Sequence, residues 1–385
     1  MCSRKALVRG FGPFDGRIWL NCAHQGPLPQ CAVEEAERAL HWKVAPHRMP
    51  DRHFEEVPDR LKRVLGSLIG APPDEIVLGN STSYGIHLLA NGIPWKAGDR
   101  VLLVNGDFPA TILPWLGLAE RGVQVDFVQP SGLVPTADEV EERLTARTRV
   151  FCAGWVNSFN GGAIDLQSIG EVCRKHEVMF VVNGSQAIGA RALDVQRTPL
   201  DAVASCGFKW LCGPYGTGFL WMRPQLRESL EINRAYWLAM QRGRSLNDMR
   251  EYRVRDDLGS YTYDVFCPAS FLNVLPWTAS VEHLADLGID RIEAHDQQLV
   301  SRLIEGIDRV EYRILSPESG PERSTLVFVS HRESARNEEL HQQLGKAGID
   351  ISLREGNLRV SPHLYNTVDD VDACLEILNA VGSSG

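Results

Sequence analysis

The sequence lacks the features that mark membrane and secreted proteins. No apolar run approaches the roughly 20 residues that a membrane-spanning helix requires, so we expect no membrane partner. The basic segment 1–17 has no apolar core followed by small residues, which argues against a secretory signal. The nine cysteines include no CxxC pair, so neither a metal site nor a disulfide framework is predicted. A reducing cytoplasm is therefore the expected location.

The sequence also lacks a surplus of positive charge, internal repeats and low-complexity tracts. Its 40 basic and 49 acidic side chains give a formal net charge of −9, which argues against nucleic acid as a partner. A hydrophobic content of 44% and a charged content of 23% are typical of a globular protein. The 385 residues are enough for about two to three domain-sized units with a substantial core.

One stretch, residues 178–223, carries most of the chemical signal. It begins with an apolar run, Val178–Val182, that predicts a buried strand. The run ends at Asn183, and open α/β sheets bind their ligands at the carboxyl ends of such strands. A second predicted strand, residues 202–205, leads into a glycine-containing turn with Lys209. Apolar surroundings favour the neutral form of a lysine, which suits a lysine that forms a Schiff base.

Three motifs in this stretch are NGSQA at residues 183–187, CGFKW at 206–210 and GPYGTG at 213–218. Together they resemble the cofactor site of the class V aminotransferase family, which includes cysteine desulfurases, kynureninase, isopenicillin N epimerase and C–S lyases. The family pattern has Asp, Ser and His where this chain has Asn183, Cys206 and Phe208. The resemblance implies an enzyme that binds pyridoxal 5'-phosphate as a Schiff base on Lys209.

The alternation of predicted strands and helices between residues 76 and 222 indicates a mainly parallel sheet covered on both faces. The resemblance, which covers about residues 16–380, implies an α/β fold of the aspartate-aminotransferase type (fold type I) with a small α+β domain. We expect residues 30–265 to form the large cofactor-binding domain, and residues 1–29 and 266–385 the small domain. The resemblance also implies a homodimer with the site at the subunit interface.

The cofactor contacts follow from local patterns and from the resemblance. Residues 79–86 open a predicted helix whose hydroxyls and free N–H groups suit an anion, and in the family this turn holds the phosphate. Phe108 stands where desulfurases carry a ring-stacking histidine, although a core role is the alternative. The loop 155–162 is expected to reach the cofactor's phenolic oxygen through Asn157, Ser158 or Asn160. The expected cofactor-binding residues are Lys209, Asn183, Gln186, Phe108, Ser81, Thr82, Ser83, Ser158, Ser205 and Thr217.

Substrate binding is predicted from the segment around Arg359, which resembles the family's carboxylate-binding strand. A guanidinium group makes two parallel hydrogen bonds to a carboxylate, although a structural salt bridge is the alternative for Arg359. Asn21, His24 and Asn157 are the other expected substrate contacts, with a plain loop position as the alternative for His24. Desulfurases carry a nucleophilic cysteine just before this strand, whereas residues 354–357 here read REGN. A persulfide mechanism is therefore not predicted.

The amide of Asn183, in place of the family's carboxylate, is the feature of the sequence that bears most on the type of reaction. The family places a carboxylate beside the ring nitrogen, and an uncharged amide makes the ring a weaker electron sink. The resemblance then implies β-elimination, through an external aldimine, from an S-substituted cysteine in a biosynthetic pathway, as in C–S lyases. The alternatives are decarboxylation-coupled oxidative deamination or epimerisation in secondary metabolism, then transamination, and finally a non-catalytic cofactor-binding protein.

Overall fold

The computed structural model describes residues 10–245, 247–250 and 252–382. Residues 1–9, which carry part of the prediction about a secretory signal, lie outside this range. Among the helices described, none combines the length and the apolar character that crossing a bilayer requires.

The strands form three sheets. In the seven-stranded central sheet the order is β2-β8-β7-β6-β5-β3-β4, and a four-stranded sheet has the order β12-β13-β10-β9. In chain order the strands are β1 (Ile18–Trp19), β2 (Ile76–Gly79), β3 (Arg100–Val104), β4 (Gln124–Val128), β5 (Thr148–Gly154), β6 (Met179–Asn183), β7 (Ala202–Cys206), β8 (Gly218–Met222), β9 (Tyr312–Ile314), β10 (Val327–His331), β11 (Ile349–Asp350), β12 (Ser352–Arg354) and β13 (Asn357–Val360).

The central sheet is parallel except at β8, which pairs antiparallel with β2 and β7. Alternate residues of its strands enter separate cores: Phe180 and Val182 belong to one, and Val181 belongs to the other. Both faces are therefore covered, which explains why the strands read as continuous apolar runs. The predicted α/β architecture of fold type I is confirmed.

The helices connect and cover these strands. In chain order they are α1 (Gln30–Val44), α2 (His53–Ile69), α3 (Thr82–Gly92), α4 (Pro109–Leu116), α5 (Ala137–Arg143), α6 (Leu166–Lys175), α7 (Pro224–Ser229), α8 (Trp237–Gln241), α9 (Phe271–Leu287), α10 (Ile289–Gly306), α11 (Asn337–Lys346) and α12 (Val368–Gly382). The sequence predicted most of these helices within a few residues.

Two glycines shape the end of α2. The helix continues to Ile69, and Gly70 ends it in the left-handed conformation with φ 73°. Gly66 has a different role, because a Cβ at that position would lie 2.5 Å from the carbonyl oxygen of Ala71. Gly66 thus lets the chain fold back against the last turn, and Gly70 is the residue that stops the helix.

The C-terminal region contributes the antiparallel sheet and the helices that cover it. Strand β1, from the N-terminal region, pairs in parallel with β11. Helix α9 lies within the predicted small domain but contacts α1 and α2 of the predicted large domain. The domain boundaries therefore stay a prediction.

A buried ion pair fixes the edge strand β2. The Lys62 ammonium group lies 2.8 Å from the Asp264 carboxylate and 2.8 Å from the Ile76 carbonyl oxygen, and both side chains are buried. The same carboxylate accepts a hydrogen bond from the Leu78 N–H at 2.8 Å. Burial lowers the pKa of Lys62, and Asp264 opposes that change. The pair therefore joins α2, β2 and the segment around Asp264.

Replacing Lys62 by Met should lower the free energy of unfolding by about 3–5 kcal/mol, because Asp264 would remain buried without its counter-charge. Urea unfolding followed by circular dichroism measures the change. A Lys62→Met/Asp264→Asn double variant should recover at least about 1 kcal/mol, because it leaves no unpaired charge. A loss below about 1 kcal/mol in the single variant would contradict this role for the pair.

Candidate active site

A cavity of about 350 Å³ lies at the edge of the central sheet where β2, β3, β5, β6 and β7 end. This is the edge at which open α/β sheets bind ligands. Most of the residues predicted from the sequence line it. They are Ser81, Thr82, Ser83, Phe108, Ser158, Asn183, Gln186, Lys209, Arg359 and His24.

The turn that carries Lys209 is held by its backbone. Each carbonyl oxygen from Gly207 to Trp210 accepts a hydrogen bond, and these four hydrogen bonds hold the turn in place. The donors are Gly213 N–H to Gly207 at 2.7 Å, Gly26 N–H to Phe208 at 2.9 Å, Cys212 N–H to Lys209 at 2.9 Å and His363 Nε2 to Trp210 at 3.1 Å.

The N-terminal segment lies directly against this turn at Gly26. A Cβ at that position would lie 2.1 Å from the carbonyl oxygen of Lys209 and 3.0 Å from Cys212 Sγ. Any side chain there would displace the lysine turn, so the close approach requires glycine. This close approach explains the glycine at position 26.

The ammonium group of Lys209 forms no hydrogen bond or ion pair within the parts of the chain that the structure describes. Its Nζ lies 5.6 Å from the ring centre of Phe108 and 5.9 Å from that of Phe208. Burial lowers the pKa of Lys209, and the positive charges of Arg359 and Arg354 lower it further. This environment favours the neutral amine, which is the nucleophilic form.

A helix N-terminus provides the anion-binding part of the cavity. Ser81 caps α3 by accepting a hydrogen bond from the Tyr84 N–H, and Thr82 Oγ1 lies 2.5 Å from Ser185 Oγ. A Cβ at Gly218 would lie 2.7 Å from the Ser81 backbone, so only glycine lets β8 pass this turn. The hydroxyls and N–H groups of Ser81, Thr82 and Ser83 thus face a site suited to a phosphate.

Two buried amide side chains fix the opposite part of the cavity. Asn183 donates from Nδ2 to Thr111 Oγ1 at 2.9 Å and accepts from the Ser185 N–H at 3.0 Å. An amide nitrogen has two N–H groups, so one of them remains for a ligand. Gln186 accepts from Trp210 Nε1 at 2.9 Å and donates to the carbonyl oxygen of Ala23 at 3.1 Å.

Arg359 is buried in the cavity wall with much of its hydrogen-bonding capacity unused. Its Nη2 donates to Ser352 Oγ at 3.3 Å, and its Nε has no partner. None of the described carboxylates pairs with this guanidinium, so the alternative of a structural salt bridge gains no support. Burial, with the nearby charge of Arg354, lowers the pKa of Arg359 to about 9. An incoming carboxylate would relieve this unfavourable environment.

Four predicted residues do not line the cavity, because their polar groups are engaged elsewhere. Asn21 accepts from Ser352, which also contacts Arg359, whereas the polar side chains of the other three bond to nearby backbone groups. The contacts are Ser352 Oγ to Asn21 Oδ1 at 2.7 Å, Ser205 Oγ to the Cys206 carbonyl, Thr217 Oγ1 to the Pro214 carbonyl, and the N–H groups of Phe159 and Asn160 to Asn157 Oδ1.

The sequence reasoning missed several residues of the cavity wall, of which Asp107 is the most informative. Ser185, Phe208 and Tyr215 also line the cavity. The carboxylate of Asp107 accepts hydrogen bonds from the Phe108 and Gly154 N–H groups, both at 2.6 Å. Burial raises its pKa to about 6 against the effect of these two bonds. Its position just after β3, at the ligand-binding edge, was the signal that could have identified it.

An ion pair buried beneath the lysine turn orients His363. Its Nδ1 lies 2.7 Å from Asp296 Oδ2, and both side chains are fully buried. Burial alone would lower the pKa of His363, but Asp296 raises it to about 9. The imidazolium therefore holds both the Asp296 carboxylate and the Trp210 carbonyl oxygen at neutral pH.

The amine, the anion-binding helix N-terminus, the aromatic ring and the two amides fit a planar, phosphorylated aldehyde that forms a Schiff base. Consistent with this chemistry, the sequence model of the class V aminotransferase family matches residues 18–374, so the chain belongs to that family of pyridoxal-phosphate enzymes. Pyridoxal 5'-phosphate is therefore the cofactor.

Named relatives of the chain differ in their reactions. A probable cysteine desulfurase of Methanothermobacter thermautotrophicus is 27% identical over 359 residues, which cover 87% of this chain and 86% of the relative. Isopenicillin N epimerase of Streptomyces clavuligerus is 27% identical over 381 residues, 94% of each protein. The cystine C–S lyase C-DES has a similar fold, with a TM-score of 0.84, 19% identity and coverage of 94% of this chain and 97% of that one.

The His363→Gln variant should lose about 3–5 kcal/mol of stability at neutral pH, because Asp296 keeps its burial and loses its charged partner. The pKa of His363 is raised, so its stabilising effect is complete below about pH 6.5 and is lost as the pH rises through about 9. Urea unfolding of the apoprotein should therefore show a gap between wild type and variant that narrows from pH 6 to pH 9.5. An exposed histidine on α1, changed in His41→Gln, is the control. A gap of equal size at both pH values would contradict the assignment.

Proposed function

We propose that the protein is a C–S lyase that eliminates the sulfur group of an S-substituted cysteine in a biosynthetic pathway. In this proposal Lys209 binds the cofactor and accepts the Cα proton, and Arg359 binds the α-carboxylate. Ser81, Thr82 and Ser83 hold the phosphate, and Phe108 lies against the ring. Bound pyridoxal phosphate supplies the electron sink that weakens the bonds to Cα. We further propose a cytoplasmic homodimer that acts in secondary metabolism.

The observation that carries this proposal is the neutral side chain of Asn183 at the end of β6. It occupies the place at which the family pattern has a carboxylate, and its hydrogen bonds to Thr111 and Ser185 fix its orientation. An amide donates a hydrogen bond but does not favour a protonated ring nitrogen as a carboxylate does. Transamination needs a long-lived carbanion, whereas expulsion of a β-thiolate removes the negative charge quickly. The site therefore favours elimination.

The hairpin before Arg359 argues against desulfurase chemistry. Strands β12 and β13 are joined through Glu355 and Gly356, with φ of 49° and 74°. Residues 354–357 contain no cysteine. A persulfide acceptor on this loop is therefore absent, which leaves direct release of the thiol.

Epimerisation is the second candidate, supported by the similarity to isopenicillin N epimerase over 94% of each protein. It requires that a proton return to Cα, and inversion with two bases requires a second proton carrier across from Lys209. Phe108 has no exchangeable proton, so it would not serve as that carrier. Elimination needs only the one base.

A panel of amino acids and S-alkyl cysteines, analysed by mass spectrometry, tests the proposal. The holoenzyme should convert at least one S-substituted cysteine to pyruvate, ammonia and a thiol, with little keto acid or inverted amino acid. Lys209→Ala should abolish this conversion and the adduct that borohydride traps on the lysine. Inverted amino acid as the main product would favour the epimerase, and a keto acid with the side chain intact would favour the aminotransferase.

Asn183→Asp should move the product ratio towards transamination. A carboxylate at this position favours a protonated ring nitrogen, because an adjacent opposite charge favours the charged form. With the best substrate from the panel, pyridoxamine phosphate should accumulate at the expense of pyruvate, and the visible absorbance of the bound cofactor should change. Asn183→Gln, which keeps an amide, is the control. Unchanged products and spectrum in Asn183→Asp would show that residue 183 does not select the reaction.

A further inference from the structure

The β12–β13 hairpin places two arginines on one face. Its register pairs Ser352 with Arg359, Leu353 with Leu358, and Arg354 with Asn357. Because directly opposed residues share a face and alternate residues lie on the same face, Arg354 and Arg359 are diagonal neighbours. The leucine pair enters the apolar core of the C-terminal region, whereas both arginines line the cavity.

Neither guanidinium has a carboxylate partner among the described residues. Arg354 donates from Nη1 to the carbonyl oxygen of Leu353 at 2.9 Å. Arg359 reaches Ser352 Oγ at 3.3 Å and leaves its buried Nε without a partner. The two like charges therefore lie side by side, and bidentate sites on both remain available to a ligand.

The other charges of the cavity do not balance this pair. Asp107 is the one carboxylate among the described residues of the cavity wall, and its oxygens already accept from the Phe108 and Gly154 N–H groups. Lys209 adds a further amine, and the phosphate of the cofactor belongs at the N-terminus of α3. A single α-carboxylate would neutralise Arg359 and leave the positive charge of Arg354 without a partner at the mouth.

We propose that the substrate carries a second anionic group on its side chain and that Arg354 binds this group while Arg359 binds the α-carboxylate. This inference rests on the proposed function, because it assumes an amino acid held over the cofactor. It defines the substrate class as a cysteine S-conjugate that ends in a carboxylate or a similar anion. Arg354 is then a specificity-determining residue that contacts the leaving group and takes no part in proton transfer.

The selectivity should appear as a difference between acids and their amides. A hydrogen bond to a charged group contributes about 1.5–3 kcal/mol, which corresponds to about 10-fold to 100-fold in affinity. The neutral amide of the same shape loses this contribution, because it gains no ion pair with Arg354. L-Alanine has no side-chain polar group to contact Arg354, so it serves as the reference ligand for the indirect effect of that charge on Lys209 and Arg359.

The experiment compares three acid and amide pairs of increasing length on the holoenzyme: L-aspartate with L-asparagine, L-glutamate with L-glutamine, and S-carboxymethyl-L-cysteine with S-carbamoylmethyl-L-cysteine. Calorimetry gives the Kd for the first two pairs, and pyruvate formation gives kcat/KM for the third. In at least one pair the acid should be favoured by about 10-fold to 100-fold. Arg354→Gln should reduce the ratio between acid and amide to about twofold or less in every pair, because the neutral side chain forms no ion pair with either ligand.

Two further variants make the result specific. Arg313→Gln removes one positive charge from an exposed position on β9, outside the cavity, and should keep the preference. Arg359→Gln should weaken acid, amide and alanine alike. Equal values for acid and amide in every pair, or a preference that survives in Arg354→Gln, would overturn the inference while amino-acid binding itself still supports the proposed function. Absence of binding by every amino acid would overturn the proposed function and the inference together.

Discussion

The position of Lys209 in the cavity depends on a turn whose backbone carbonyl groups are all hydrogen-bonded. In the proposed function Lys209 serves first as the attachment point of the cofactor and then as a base, and a displacement of about 1 Å is costly in such a step. The backbone N–H groups of Gly26, Cys212 and Gly213 and the imidazole of His363 donate to the carbonyl oxygens of the turn, whereas the lysine side chain is free of hydrogen bonds to described residues. The structure thus combines a rigid backbone with an unengaged amine.

The second organising constraint is electrostatic. Positive groups are concentrated in a partly enclosed cavity, and burial lowers the pKa of both Lys209 and Arg359. An anionic cofactor and an anionic substrate would each stabilise this arrangement, so ligand binding and relief of charge repulsion are coupled. Asn183 is neutral, so it adds no charge at the place where the cofactor ring would contact the protein. The excess of positive charge in the cavity is therefore the physical basis of the proposed preference for anionic substrates.

Local patterns predicted the mainly parallel sheet, whereas the fold type and most of the cavity residues were predicted from the resemblance to the class V family. Apolar runs identified the buried strands, and the polar residues that follow them necessarily meet at one edge of a parallel sheet. Ser205, Thr217, Asn21 and Asn157 were harder, because a strand or turn residue points towards a ligand or away from it according to the pleat and the tertiary contacts. Asn157, for example, caps its own turn.

Residues that act over long sequence distances could not be predicted in this way. His363 lies in a segment that the sequence connects only with substrate binding, and its contact with Trp210 appears only when the C-terminal region packs against the sheet. The diagonal placement of Arg354 beside Arg359 likewise depends on the register of a two-residue hairpin, which the residues REGN allow but do not specify. The requirement for glycine at position 26 was equally hard to predict, because it comes from the carbonyl oxygen of Lys209, which is distant in the sequence.

The contact between His363 and the lysine turn cannot form until the C-terminal region of the chain has been synthesised. Trp210 and His363 are 153 residues apart, so a nascent chain that already contains the complete central sheet still lacks one of the four donors that hold the turn. Domains begin to fold during synthesis from the N-terminal side, and long-range contacts form late. The complete set of contacts around Lys209 therefore requires the C-terminal region, and a chain truncated before residue 363 would lack both this donor and Arg359.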